Sequence, residues 1–304
     1  MPDTQSEHSH ERDALVCIKS MPRISDNYLD CVIYLYRTSD DAQRGERVGG
    51  TGFIVRVNAV VEGASHHLYA VTNKHVIRKG QATVIRINTP DGGFHVMESA
   101  SMDWVDHWAA DDLSVLPLPH VTPNLYAYRS IPTQLFITKE LLLTYNLGIG
   151  DDVFLVGRFI NHEGKQRNLP AVRFGNIAMM PTEPIRNEEG LAQESFLVEL
   201  RSQGGYSGAP VFVWRPAEGV NVSPTAGLFN QAVHGPWLLG VNWGHLPLDS
   251  PVREPDGTPV SEGWIVSGNT GMANVVPAWK LVELLDSKEL VLQRQRIEAA
   301  SERG

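Results

Sequence analysis

The chain has 304 residues, 42% of them apolar, with a formal charge of −9 and an isoelectric point near 5.6. That length and apolar share suit one large domain or two small ones around a sizeable core, and the acidic balance excludes the broad basic footprint that a phosphate backbone requires, so no nucleic-acid partner is expected. No run of about 18 apolar residues is present to span a bilayer, so no membrane partner is expected either.

The first residues, "MPDTQSEHSHERD", are polar and acidic where a secretory leader carries a basic and then an apolar segment. Residues 1–25 are read as a tail or extension, with His8 and His10 solvated, and the protein as soluble and unexported. Cys17 and Cys31 are too few for a disulfide framework and lack metal-ligand spacing. They read as reduced thiols of a cytoplasmic protein, with a single bridge between them as the alternative.

From about Asp30 the pattern changes to short runs rich in Val, Ile, Leu, Phe and Tyr: "CVIYLY", "TGFIVRV", "HLYAVT", "ATVIRI", "LSVLPL", "DVFLVG", "SFLVEL", "APVFVW" and "WLLGVNW". Gly, Pro, Asn and Asp turns separate them, the signature of strands. So many short strands predict an all-β protein of antiparallel barrels or sandwiches. Helices are predicted at two places. "TKELLLTYN" offers Thr138 as an N-cap, and a C-terminal helix opens at Pro277 with Leu281, Leu284 and Leu285 on its apolar face. Residues 215–235 and 246–262 carry Pro and Gly and read as long surface loops.

Three short segments carry chemistry. "YAVTNKHVI" ends an apolar strand at Thr72 and Asn73 and delivers His75 onto a turn; "DDLSVL" sets Asp112, with Asp111 beside it, just before an alternating strand; "RSQGGYSGAP" places Ser207 two residues after Gly205 and immediately before Gly208. Taken singly, a histidine is a hydrogen-bonded structural residue and an aspartate before a strand is a turn residue. Together they supply what acyl transfer by serine needs: a hydroxyl to attack, an imidazole to take and return its proton, and a carboxylate to hold the imidazole's tautomer. His66 and His67 are adjacent and lack helical ligand spacing, so no metal is expected, and no cofactor motif is present.

The order His, Asp, Ser resembles that of the chymotrypsin-fold (trypsin-like) serine peptidases, bacterial type without a PDZ domain. "GGTGFIV" resembles the strand before the family's histidine, "VTNKHVI" its histidine motif, "DLSVL" its aspartate motif, and "GYSGAP" its nucleophile motif. "GIGDDVFLVGR", "VRFGNIAMM", "GVNWG" and "GNTGMANVVPAWKLVELL" resemble strands of the second barrel and the terminal helix. The resemblance implies two packed six-stranded antiparallel β-barrels with a C-terminal helix: residues 26–146 with the histidine and aspartate, 147–276 with the serine, and 277–304 as helix and tail.

It also implies a serine endopeptidase acting on a protein or peptide substrate through an acyl-enzyme. Ser207 would be the nucleophile, His75 the general base and then acid, and Asp112 its orienting carboxylate, with Asp111 the competing candidate. The N–H groups of Gly205 and Ser207 would face the oxyanion. Asn242, Trp243 and Gly244 would pair with the substrate backbone, Trp243 serving as an apolar wall or as a core aromatic. Arg201 stands six residues before Ser207, where trypsin carries the acid that selects basic side chains; a guanidinium there would favour an acidic residue on the acyl side of the cut. Tyr206 replaces the aspartate that receives a newly cut N-terminus in vertebrate trypsins, so activation by that salt bridge is not implied. A regulatory partner encoded nearby is a further expectation.

Two other readings stand beside it. One is a catalytically inactive protease-fold module that keeps a peptide groove. The other is an α/β-hydrolase, whose Gly-x-Ser-x-Gly elbow "GYSGA" approximates; Ala209 breaks that pattern, and His234 or His245 would have to serve after the serine.

Overall fold

The structure, a computed structural model, describes residues 24–59, 66–109, 111–119, 121–159, 162, 164–186, 190, 192–200, 205–214, 235–260 and 263–301. The N-terminal half contains strands β1 (Val32–Tyr36), β2 (Val48–Val57), β3 (His67–Thr72), β4 (Val84–Asn88), β5 (Phe94–Met97), β6 (Val105–Asp106), β7 (Ser114–Pro117) and β8 (Ile131–Pro132), with short helices α1 (Asp26–Leu29), α2 (Ser39–Arg44), α3 (Lys74–Arg78) and α4 (Lys139–Thr144). The C-terminal half adds β9 (Asp152–Gly157), β10 (Ala171–Met179), β11 (Ile185–Arg186), β12 (Ala192–Gln193), β13 (Phe196–Glu199), β14 (Pro210–Trp214), β15 (Trp237–Pro251) and β16 (Ile265–Pro277), then helices α5 (Ala278–Leu285) and α6 (Lys288–Ser301).

The expected all-β architecture is found. In the C-terminal half, six antiparallel strands close a barrel in the order β10-β13-β16-β15-β14-β9. The N-terminal half forms an eight-stranded sheet, β5-β4-β1-β2-β3-β7-β6, with β8 pairing in parallel with β2. Two very short strands, β6 and β8, bring the count above the six expected.

Strand β1 explains why its sequence is an unbroken apolar run. Ile33 and Leu35 face a core that lies within the N-terminal half, with Ile54, Ala70, Val76, Ile85 and Leu116. Val32, Tyr34 and Tyr36 face a second core that continues into the closed barrel. A strand buried on both faces has no need of polar alternation. The two halves also exchange terminal elements. Tyr28 of α1 packs against the C-terminal barrel, its ring centroid 5.3 Å from that of Phe154 and 4.9 Å from that of Phe212. In return, α6 lies on the N-terminal sheet, where Arg294 donates to the Tyr69 hydroxyl at 3.1 Å and Glu298 meets His67 Nε2 at 2.7 Å.

A third tie is polar. Arg86, fully buried on β4, donates to the carbonyls of Gly164 at 3.0 Å and Lys165 at 2.7 Å, in the β9–β10 connection. Asn88 and Asn168 complete it: Asn168 N donates to Asn88 Oδ1 at 2.8 Å, and Asn168 Nδ2 to Arg86 O at 2.8 Å. These bonds satisfy buried polar groups that would otherwise oppose closure of the two halves.

Thr138 caps α4 as expected, its hydroxyl accepting from Leu141 N at 3.2 Å. Leu281, Leu284 and Leu285 are buried on α5, and the C-terminal helix is two helices rather than one. Segment 246–262 was expected as a loop. Its first part instead continues β15 to Pro251, paired with β16 from Pro247↔Asn269 to Pro251↔Ile265. Residues 215–234 lie outside the described residues, as do His8, His10, Cys17 and His234. Cys31 is a buried free thiol donating to Tyr28 O at 3.0 Å, and burial pushes its titration up.

Candidate active site

Strand β3 ends at Thr72, and Asn73 turns the chain into α3, so His75 falls in a first helical turn whose N–H groups have no partner within the helix. Asn73 makes no side-chain cap. Its Nδ2 reaches instead to Asp112 O at 2.8 Å. The capping acceptor comes from across the sheet: Asp112 Oδ1 accepts the His75 main-chain N–H at 2.8 Å. The second carboxylate oxygen, Oδ2, lies 2.5 Å from His75 Nδ1. A carboxylate accepts only, so the imidazole proton sits on Nδ1, and Nε2 on the far edge of the ring is left with its lone pair. His75 keeps 34% of its side-chain surface exposed, against 12% for Asp112.

Every polar group of Asp112 is thus engaged, the last being its main-chain N–H, which donates to Gln193 Oε1 at 2.8 Å. Asp111, the competing candidate, points elsewhere. Its carboxylate lies 3.2 Å from Nδ1 of the fully buried His107 and 3.9 Å from Lys280 Nζ on α5, while His107 Nε2 is 3.6 Å from Glu283. Burial pushes the Asp111 carboxyl above its ordinary range and the His107 imidazole below.

Ser207 stands on a turn bracketed by positive backbone angles, φ 97° at Gly205 and 84° at Gly208. A Cβ at position 208 would stand 2.0 Å from Thr51 O and 2.2 Å from Thr72 Oγ1, so the turn presses directly on β2 and β3. Thr51 holds it there. Its N–H donates to Ser207 O at 2.9 Å, and its carbonyl accepts from the Thr72 hydroxyl at 2.7 Å. Gly50, the residue before, lies against both Ser207 O and Val76, the neighbour of His75. The serine turn and the histidine helix are therefore fastened to the same two strands.

The other side of the turn is fastened by Asn242. Its main-chain N–H donates to Ala209 O at 2.9 Å, its carbonyl accepts from Gly208 N at 2.8 Å, and its Nδ2 donates to Tyr206 O at 2.9 Å. These three bonds of Asn242, one of the residues expected along the substrate, hold the Ser207 turn. Trp243 is buried, with Nε1 donating to Ser195 Oγ at 3.0 Å. Among the described residues nothing beyond its chain neighbours lies within 4 Å of where a Cβ at Gly244 would stand, and beyond Val241 no described strand pairs with the β14-facing edge of β15. Tyr206 is buried, its hydroxyl accepting from Arg173 Nε at 2.9 Å. Arg201 lies outside the described residues.

Thr51, Asn73 and Gln193 received no role of their own in the sequence reading, because their contribution is contacts between segments far apart in the chain. Thr51 lies in the "GGTGFIV" stretch and Asn73 in "VTNKHVI"; Gln193 lies in no motif. Among the described residues no group of three or more His, Cys, Asp or Glu side chains is placed to hold a metal ion, and no helix is long and apolar enough to cross a membrane.

No known family's sequence profile matches the chain, and no curated protein matches it. Among solved structures the chain is similar to the MamO protease domain from Magnetospirillum magneticum in its apo form, at 16% identity over 84% of this chain and 96% of that one, with a TM-score of 0.47. It is also similar to the HtrA-type protease AlgW with a decapeptide, at 16% identity over 86% and 65%, TM-score 0.45. Deg5 follows at 15% identity over 72% and 81%, TM-score 0.41. The closed barrel and the His75–Asp112 pairing rest on the chain's own geometry.

Proposed function

We propose that the chain is a serine endopeptidase of chymotrypsin type, acting through Ser207, His75 and Asp112. The observation that carries this reading is the pair of hydrogen bonds from His75 to Asp112, one oxygen accepting the helix N–H and the other Nδ1. It directs Nε2 away from the carboxylate on a partly exposed ring, in a fold that fastens the serine turn to the same strands.

The chemistry follows from the roles. Ser207 Oγ forms a bond to the scissile carbonyl carbon as His75 Nε2 takes its proton, and Asp112 stabilises the resulting imidazolium. The negative charge gathers on the former carbonyl oxygen, facing the N–H groups of Gly205 and Ser207, a contribution of about 3–4 kcal/mol per donor. His75 then gives its proton to the leaving amine as the C–N bond breaks, and water repeats the sequence on the acyl-enzyme. The substrate is an extended polypeptide lying along β15 from Trp243 and Gly244. Arg201 is the proposed selector of an acidic residue on the acyl side, and the two-cysteine composition supports a cytoplasmic setting.

A fluorophosphonate probe tests the reading. Labelling of the native protein that disappears in both Ser207→Ala and His75→Ala is expected; labelling that persists in Ser207→Ala, or none at all on folded native protein, overturns it. Cleavage-site profiling on a peptide library, with Ser207→Ala as control, then reads the residue preference. Preference for Lys or Arg on the acyl side would dismiss the role given to Arg201.

A further inference from the structure

Asp112 lies in the β6–β7 connection of the N-terminal half, yet its main-chain N–H is held from the other half of the molecule. The acceptor, Gln193 Oε1 at 2.8 Å, comes from β12, a two-residue strand that among the described residues pairs with β11 in a two-stranded sheet. Gln193 is fully buried. Its Nε2 is buried as well and has no hydrogen-bond partner among the described residues. Burying a primary amide with its N–H₂ unmet costs stability. A side chain that packs at such a cost, and spends its one described hydrogen bond on the main chain of Asp112, is poorly explained as a stabiliser.

The two residues that follow extend the connection. Glu194 lies 3.1 Å from Lys139 Nζ and 3.8 Å from Lys280 Nζ, and Ser195 Oγ accepts from Trp243 Nε1 at 3.0 Å. One tripeptide therefore touches the carboxylate residue through its first member and the strand beside Gly244 through its last.

We infer that Gln193 is a positioning residue for the proposed triad: through the Asp112 N–H it holds the carboxylate in line with His75, and through Ser195 it ties that alignment to the seat of Trp243 on the substrate strand. The inference rests on the serine-peptidase reading. Both of Asp112's oxygens are aimed by the main chain that carries them, so release of its N–H lets the carboxylate turn and weakens the 2.5 Å contact with Nδ1. A misplacement of about 1 Å is enough to cost around 100-fold in rate.

The experiment compares Gln193→Met, which keeps the volume and removes the acceptor, with Gln193→Glu, which keeps an acceptor oxygen. The full-length proteins are examined by proton NMR for the low-field resonance of the His75 Nδ1 proton, and kcat and KM are measured on a peptide from the cleavage profile. Expected are a displaced or broadened resonance and a fall in kcat of about 10- to 100-fold with KM little changed in Gln193→Met, and recovery of both in Gln193→Glu. A folded Gln193→Met protein with an unmoved resonance and native kcat overturns the inference. Should Gln193→Met not fold, Gln193→Asn withdraws the acceptor by one methylene and must displace the resonance in the same direction; an unmoved resonance there also overturns it. The resonance separates this inference from the reading beneath it. A native protein that shows the signal, loses it in Gln193→Met and yet ignores the fluorophosphonate would sink the peptidase and keep Gln193's hold on Asp112.

Discussion

Both carboxylate oxygens of Asp112 are given to a single residue, His75, one through its main-chain N–H at 2.8 Å and one through Nδ1 at 2.5 Å. The same carboxylate thus caps a helix and fixes a tautomer. Asp112→Asn presents an N–H₂ to a ring that needs an acceptor, so kcat on a peptide substrate is expected to fall by about 10⁴-fold. Asp111→Asn, whose side chain faces His107 and Lys280, is expected to cost far less. Steady-state kinetics of the two variants side by side checks the assignment, and the reverse order would overturn it.

The neighbouring Asp111–His107 pair makes a prediction about pH and stability. Burial holds the His107 imidazole below its ordinary value of 6.5, so the native state keeps it neutral where the unfolded chain binds a proton. That contribution is complete above the ordinary value and is lost as pH falls through the lower native one. Asp111, raised above its ordinary 3.8, acts with opposite sign from that value upward, where the native state binds the extra proton and stability declines as pH rises. The urea midpoint should therefore drop between about pH 7.5 and 5.5, and drop less in His107→Gln. Equal slopes in the two proteins would contradict this.

Gly208→Ala should be among the most damaging of the small substitutions. The new methyl group would meet Thr51 O and Thr72 Oγ1 far inside contact distance, at a φ of +84° that L-residues avoid. A loss of about 2–4 kcal/mol is expected, with the serine turn displaced. Guanidinium unfolding measures the first and fluorophosphonate labelling rate the second; native values of both would mean the turn accommodates a side chain.

Arg86 offers a test of how the halves are joined. Its guanidinium spans two carbonyls of the β9–β10 connection and lies 3.8 Å from the centre of the Phe94 ring. Arg86→Lys keeps the charge but reaches fewer acceptors and loses the planar stacking. A destabilisation of about 1.5–3 kcal/mol is expected from chemical unfolding. A change under about 0.5 kcal/mol, the scale of an ordinary surface substitution, would show that the connection docks without it.

Much of the molecule was legible because burial leaves a mark on sequence. "CVIYLY", "HLYAVT" and "APVFVW" became β1, β3 and β14, since strands covered on one or both faces need runs of Val, Ile, Leu and aromatic residues. The two-residue strands β6, β8, β11 and β12 left no such mark. Their residues pair because longer strands bring them together, and "AQ" at β12 carries no strand propensity worth reading. The extension of β15 to Pro251 was missed for a related reason: its prolines and exposed residues read as loop, and only its partner β16 makes it a strand.

At the site, sequence alone determined the residue types and the strand ends that carry them: a histidine after β3, paired aspartates before β7, a serine among glycines before β14. Local pattern could go no further, because adjacent residues on an extended chain point in opposite directions, and nothing within "DDLSV" says which aspartate faces His75. The tertiary structure decided that Asp112 does, that Asn242 fastens the Ser207 turn, and that Gln193 reaches from the β11–β12 sheet of the C-terminal half to hold Asp112. Each of those outcomes is a hydrogen bond between segments more than thirty residues apart, and such bonds are set by how the two halves close on one another.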